Sequence, residues 1–244
     1  MSKDDATSGP RKTVAREYLE SIVVAVILAL FIRTFIVQAF KIPTGSMERN
    51  LLVGDHLLVN KLMYSPSIAS WEDKLLAKRE VRRGDVIVFK FPEDPSRDFI
   101  KRVIGLPGET VAVRGKGVYV NGKLLHESYT TFIRDEMDPA AAAAPPPPEN
   151  FDQAPATDNF RDGYGPEVVP AGRVFVLGDN RDNSRDSRFW SFLPIDQIKG
   201  RALLVYWSYA ATRDEYNRTG MGWLKDTLTA VSKTRWDRFF HLIR

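Results

Sequence analysis

No cysteine occurs in the 244 residues, which excludes disulfides, thiolate metal sites and cysteine nucleophiles. Histidine is scarce. His56, His126 and His241 stand far apart, and none belongs to a His-Glu-x-x-His pair, so a zinc hydrolase is disfavoured. Charge of one sign is also lacking: 35 basic residues face 31 acidic ones, for a net charge of +4. The basic residues are scattered rather than massed into a stripe, which leaves no footprint for nucleic acid. Internal repeats are absent, and long apolar runs are absent with one exception.

That exception begins at Ile22. Residues 22–32 are unbroken apolar sequence, and weaker apolar character continues through Phe35, Ile36 and Val37 to Phe40. A helix over 17–40 spans a hydrocarbon core of about 30 Å. Arg33 interrupts it near the far end, where its side chain can snorkel to the interface. Lys3, Arg11, Lys12 and Arg16 precede the span, so residues 1–16 read as a cytoplasmic tail and everything after 40 as outward-facing. A cleavable export signal ending at Val37-Gln38-Ala39 is an alternative, as is the buried helix of a soluble protein. The length of the apolar segment favours a retained anchor.

Beyond the anchor the pattern changes to short β-type runs at 86–89, 99–104, 111–114, 117–120, 123–125, 173–177 and 202–206. Asn121-Gly122 between two of these runs predicts a type I′ hairpin. Many short strands with little helix between them predict a mainly β, all-β domain in two parts, 41–131 and 169–210. Between them, 132–168 reads as an Ala/Pro-rich, low-complexity insertion, with Ala140 to Ala144 followed by Pro145 to Pro148. The last segment, 211–244, is basic. Trp236, Phe239, Phe240 and Ile243 fall on one helical face, which predicts a short C-terminal helix that docks on the β-domain or touches an anionic membrane.

Three constellations carry candidate chemistry. Ser46 follows Gly45 just past the anchor, and a serine hydroxyl needs a base placed by the fold before it can attack. Neither a Gly-x-Ser-x-Gly elbow nor a Ser-x-x-Lys pair surrounds it, and no histidine sits in a suggestive context. A Ser-His-Asp triad stays open in principle, since triads are spatial, and lysine is the remaining candidate base. Lys101 lies in Phe99-Ile100-Lys101-Arg102-Val103-Ile104, where alternation puts it on a face with Phe99 and Val103. Burial there would lower its pKa and free a lone pair, whereas a snorkelling edge-strand lysine is the blander reading. The third constellation is Gly178-Asp179-Asn180-Arg181-Asp182-Asn183-Ser184-Arg185-Asp186-Ser187-Arg188. It lacks the glycine and distal glutamate of an EF-hand, and its mixed charges suit a self-satisfying network.

Four blocks together resemble the bacterial type I signal peptidases (leader peptidases), membrane proteases with a Ser/Lys dyad. They are Ile42-Pro43-Thr44-Gly45-Ser46-Met47, Arg83-Gly84-Asp85-Val86-Ile87-Val88-Phe89, Lys101-Arg102-Val103-Ile104-Gly105-Leu106-Pro107-Gly108-Glu109, and the Gly178 to Arg188 stretch. The resemblance implies that Ser46 is the acylated nucleophile and Lys101 its general base. It implies an oxyanion hole from the Ser46 N–H and Thr44. Ser184 matches the serine that orients the lysine amine, Asp186 and Arg188 match a supporting ion pair, and Asn183 lies beside them. Phe40, Ile42, Pro43, Met47, Leu51, Phe99 and Ile100 match the apolar pockets that select small side chains. The implied substrates are preprotein signal peptides cut after a small-x-small motif, and the implied partner is the lipid bilayer. A monomer at the bacterial cytoplasmic membrane is expected, with its catalytic domain on the outer face and no metal, cofactor or nucleic acid.

The chain departs from that family pattern in places. Ser46-Met47-Glu48-Arg49-Asn50-Leu51 stands where Ser-Met-x-Pro-Thr-Leu is usual, Ser191 stands where glycine is common, and the insertion has no counterpart. Gly117-x-x-x-x-Gly122-Lys123 imitates a phosphate loop, but Leu124 replaces the required Ser/Thr and the context is a hairpin. A self-cleaving regulator lacks support without a DNA-binding module, and a lapsed β-scaffold conflicts with the intact Ser46, Lys101 and Ser184.

Overall fold

The computed structural model describes residues 14–64, 78–133, 146–153, 162–210 and 232–243. The apolar segment is an α-helix, α1 (Val14–Phe31), that closes in a π-helical turn at Ile32–Ile36. These 23 residues rise about 34 Å, enough to cross a membrane. No residue of α1 is buried. A core helix hides an apolar stripe, and this one hides none, so the buried-helix reading falls and the helix fits a membrane anchor.

The anchor ends earlier than expected. Residues 37–41, most of them read from sequence as the end of the span, form strand β1 (Val37–Lys41) instead. It pairs antiparallel with β2 (Asp55–Asn60), from Val37 opposite Asn60 to Lys41 opposite His56. Apolar continuity cannot separate helix from strand over five residues; the open edge of β2 decides by satisfying the backbone.

The remaining strands are β3 (Val86–Phe91), β4 (Asp94–Gly105), β5 (Thr110–Arg114), β6 (Gly117–Val120), β7 (Lys123–Leu124), β8 (Gly163–Val168), β9 (Arg173–Leu177), β10 (Leu193–Pro194), β11 (Ile198–Ser208) and β12 (His241–Leu242). The larger sheet runs β1-β2-β11-β3-β4-β9-β10, with β12 added on β11; the smaller runs β7-β6-β5-β8. Ile104, Phe175 and Leu177 of the larger sheet share one apolar cluster with Val111, Val113 and Val118 of the smaller, which joins the two. A second cluster, which includes Ile42, Met47, Leu51, Leu57 and Val59, lies under the start of the β-domain.

The Asn121-Gly122 turn is as expected. Both residues have positive φ, 53° and 79°, and Val120 pairs with Lys123 across it. Two other expectations are revised. The interval 132–168 is not all insertion, because β8 pairs with β5 inside the smaller sheet. Its Phe151 also packs edge-on against Tyr119. Ala140 to Ala144 and Pro145 lie outside the described residues. At the C-terminus, the described part is two helical residues, Ser232 and Lys233, a bridge from Thr234 to Tyr209, a 3-10 turn at Trp236–Arg238 and then β12; most of 211–244 lies outside the described residues. Ile243 enters the core while Trp236 and Phe240 stay exposed, so the four apolar residues do not share a face.

Candidate active site

Ser46 sits in a 3-10 turn, Gly45–Met47, whose outer anchors are buried. Met47 and Leu51 are 0% and 1% exposed, and Leu51 N–H donates to the Met47 carbonyl at 2.8 Å. Two bonds from the polar loop fix the turn on its other side. Asn180 N–H donates to the Ser46 carbonyl at 3.1 Å, and its side-chain amide donates to the Gly45 carbonyl at 3.2 Å. Three residues past the nucleophile, Arg49 has φ 70°. Proline is locked near −65°, so this turn could not accept the family's usual proline, and the sequence departure matches a different local backbone.

Lys101 comes from the middle of β4, paired to Ile87 of β3. Alternation predicted one buried face, yet Lys101, Arg102, Val103 and Ile104 are all buried. The reason is position: β4 lies between β3 and β9 in the sheet, and both of its faces are covered. Lys101 Nζ lies 2.7 Å from Ser46 Oγ and also donates to the Ile100 carbonyl at 3.0 Å. Ser46 is 7% exposed and Lys101 3%. Desolvation lowers the Lys101 pKa from 10.5 to about 8, against the pull of the Asp186 and Asp179 carboxylates and with help from Arg188.

Both side chains open into a cleft of about 440 Å³. Of the residues expected there, Pro43, Thr44, Phe99, Ile100 and Asn183 line it. Thr44 is exposed in an extended conformation, and its side chain makes no bond to the following turn. Ile42, Met47 and Leu51 do not line the cleft; they are 2%, 0% and 1% exposed and belong to the core beneath it. Phe40 packs on the same core from its edge. These four are expected at the cleft because they match the family's apolar substrate pockets; here Ile42, Met47 and Leu51 are core residues and Phe40 packs at the edge of that core.

The Asp186–Arg188 pair forms as expected. Arg188 Nε lies 2.8 Å from Asp186, with both side chains nearly fully buried, and Asp186 also accepts the Gly178 N–H at 3.0 Å. Ser184 is buried close by, packed against Gly178, but its hydroxyl has no hydrogen-bond partner among the described residues. It makes no bond to Lys101. Sequence reasoning missed a second buried pair, Arg102 with Asp179. Arg102 donates to both Asp179 oxygens, at 2.8 and 2.7 Å, and to the Gly84 carbonyl at 2.9 Å. The available signal was an arginine inside an apolar strand, which must find a carboxylate if that strand is interior.

The match between these residues and known proteins is broad. The model of the signal peptidase family, peptidase S26, matches residues 15–207. The chain belongs to the signal peptidase (peptidase S26) family. It is thereby a serine peptidase. Signal peptidase I of Aquifex aeolicus is 37% identical over 228 residues, covering 79% of this chain and 84% of the relative. Signal peptidase I of Leptolyngbya laminosa is 40% identical over 198 residues, with 78% and 79% covered. That of Pseudomonas aeruginosa is 36% identical over 214 residues, with 79% and 72% covered. The family match takes in the apolar helix α1, the Ser46 turn, β4 and the polar loop within one span.

Proposed function

We propose that this peptidase removes signal peptides from exported preproteins, with Ser46 as the acylated nucleophile and Lys101 as general base. The observation that carries the reading is the 2.7 Å contact between Nζ and Oγ inside a desolvated pocket. In the neutral amine the lone pair of Nζ faces the hydroxyl and accepts its proton as Oγ attacks the scissile carbonyl. The ammonium then protonates the leaving amine. Water attacks the acyl-enzyme in turn, its proton taken by the same amine.

The developing oxyanion falls to the Ser46 N–H and the Thr44 hydroxyl, a role supported by both residues lining the cleft. The Ser184 hydroxyl, buried without a partner among the described residues, is the group proposed to hold the amine once Oγ is acylated. Phe99, Ile100 and Pro43 give the cleft shallow apolar walls that suit small side chains before the scissile bond, and an extended peptide can pair with the strand edge by backbone hydrogen bonds. The exposed helix α1, with basic residues before it, fits a single-pass anchor whose N-terminus is cytoplasmic. Anchoring confines enzyme and membrane-held substrate to one plane and raises their effective concentration.

Cleavage of a model preprotein by the full chain in detergent tests the reading. The product's new N-terminus is expected to follow a small-x-small triplet. Cutting at unrelated positions, or undiminished cutting by a Ser46→Ala chain, overturns it.

The base also sets a pH dependence. Because Lys101 acts only when neutral, kcat/KM is expected to rise tenfold per pH unit below about 8 and to level off above it. Stability moves the same way. The unfolded lysine keeps its proton up to about 10.5 while the folded one loses it near 8, so the unfolded state binds more protons in between. The burial penalty, about 3 kcal/mol, is fully present below pH 8 and fades between 8 and 10.5. A pH–rate profile with its acid limb near the pKa of an ordinary histidine would remove Lys101 as the base.

A further inference from the structure

The polar loop that steadies Ser46 is itself held from behind by residues 127–131, which enter none of the expected site. Thr131 N–H donates to the Asp179 carbonyl at 2.8 Å, and Arg181 N–H donates to the Thr131 carbonyl at 2.9 Å. This makes an isolated parallel bridge between Thr131 and Asn180. Asn50, four residues after the nucleophile, donates one amide to both the Tyr129 carbonyl, at 2.7 Å, and the Asp179 carboxylate, at 2.8 Å. The Tyr129 ring centroid lies 4.0 Å from the guanidinium carbon of Arg102, the neighbour of Lys101. Finally, Glu127 pairs with Arg181 at 2.6 Å, with both side chains about 95% buried, and accepts the Tyr129 hydroxyl at 2.8 Å.

We infer that 127–131 is a positioning strap that holds the Ser46 turn, the Lys101 strand and the polar loop in one register, with Tyr129 as its key residue. The three pieces come from distant parts of the chain, and each meets the strap through a different contact. Asn50 ties it to the nucleophile turn, Arg102 to the base strand, and Asp179, Asn180 and Arg181 to the loop. The Tyr129 ring is central because it covers the Arg102 guanidinium while its backbone and hydroxyl engage Asn50 and Glu127. A planar cation stacked on an aromatic face and forked onto a carboxylate has little freedom left, so the strand carrying Lys101 is fixed in depth and rotation. The strap touches neither the cleft nor the reacting atoms. Its effect on catalysis is through the 2.7 Å spacing of Nζ and Oγ and through the exclusion of water from the amine.

The inference rests on Ser46 and Lys101 being the reacting pair. Its test compares Tyr129→Leu, Tyr129→Phe and wild type as full chains in detergent, with Ser46→Ala in parallel. Residual cleavage by Ser46→Ala would remove the reading of the dyad, whereas the strap fails only through the Tyr129 variants. Tyr129→Leu is expected to lower kcat by tenfold or more, because a misplacement of about 1 Å costs on the order of 10²-fold. KM should stay within about twofold, since the cleft is untouched. The acid limb of its pH profile should move above that of wild type, because a looser wall admits water to the amine. Tyr129→Phe, which keeps the ring over Arg102, should recover most of kcat. A folded Tyr129→Leu chain with wild-type kcat and an unmoved limb overturns the inference. So does equal loss in both variants with the limb unmoved, the mark of a merely structural role. Should Tyr129→Leu not fold, Glu127→Asp keeps the buried charge, withdraws the carboxylate by one methylene, and is read by the same kcat and pH criteria.

Discussion

Replacing Lys101 by methionine or arginine is expected to reduce cleavage by about 10⁴-fold or more, as is replacing Ser46 by alanine. Methionine matches the length of the lysine stem but offers no lone pair of comparable basicity. Arginine keeps the charge, yet its guanidinium does not deprotonate near neutral pH, and it is too large for a site that leaves Lys101 only 3% exposed. The double variant should be no worse than either single one, because base and nucleophile act as one unit. Stability separates this from trivial unfolding. Lys101→Met removes a group whose burial costs about 3 kcal/mol at neutral pH, so the inactive protein should melt several degrees higher than wild type. An active Lys101→Arg chain would place the base elsewhere. A Lys101→Met chain that melts lower would show that the ammonium is better solvated in the pocket than its burial implies.

Much of this architecture could be read from the sequence because local signals agreed with the tertiary result. Asn121-Gly122 demands positive φ at two successive residues, and the hairpin follows whatever surrounds it. The β-type runs at 86–89 and 173–177 become strands because β-branched residues suit pleated, covered positions. The misreadings concern where an element ends or which side a residue faces. The weaker apolar character through Phe40 reads as extending the anchor, and only the partner strand β2 makes residues 37–41 β. Ile42, Met47 and Leu51 match the family's substrate pockets in sequence, but all three are buried in the core cluster. Trp236, Phe239, Phe240 and Ile243 obey a helical period over too few residues to nucleate a helix; Trp236 lies in a 3-10 turn, and the strand β12 between Phe240 and Ile243 pairs with β11 at Leu204 and Val205.

The deepest gap is the Arg102–Asp179 pair. Each residue was visible in its motif, but nothing local says that residues 77 positions apart must meet. That follows only once β4 is known to be interior and Arg102 to lack water. The same pair then explains why the polar loop lies where it does. Its first carboxylate is committed to the base strand, and Asn180, the next residue, is thereby placed under the nucleophile turn.

Gly178→Ala is expected to lower kcat by about 10²-fold in a folded protein. The glycine is required for space rather than for conformation, since its φ is not among the positive ones. A Cβ at this position would stand 2.6 Å from the Ser46 carbonyl oxygen and 2.5 Å from Ser184 Cβ, and would also press on the Ser184 hydroxyl. The residue cannot retreat. Its N–H is bonded to Asp186 and its carbonyl accepts Arg181 Nε at 3.2 Å, while Asp186 is held in turn by Arg188. Relief must therefore come from the Ser46 turn, which shifts Oγ away from Nζ, or from Ser184. Gly172→Ala is the control: it adds a methyl in open space at φ 70°, so its expected cost is backbone strain of about 1 kcal/mol with kcat unchanged. If Gly178→Ala kept wild-type kcat, the loop would be softer than its hydrogen bonds imply, and the spacing of the dyad would have to be set by the β4 strand alone.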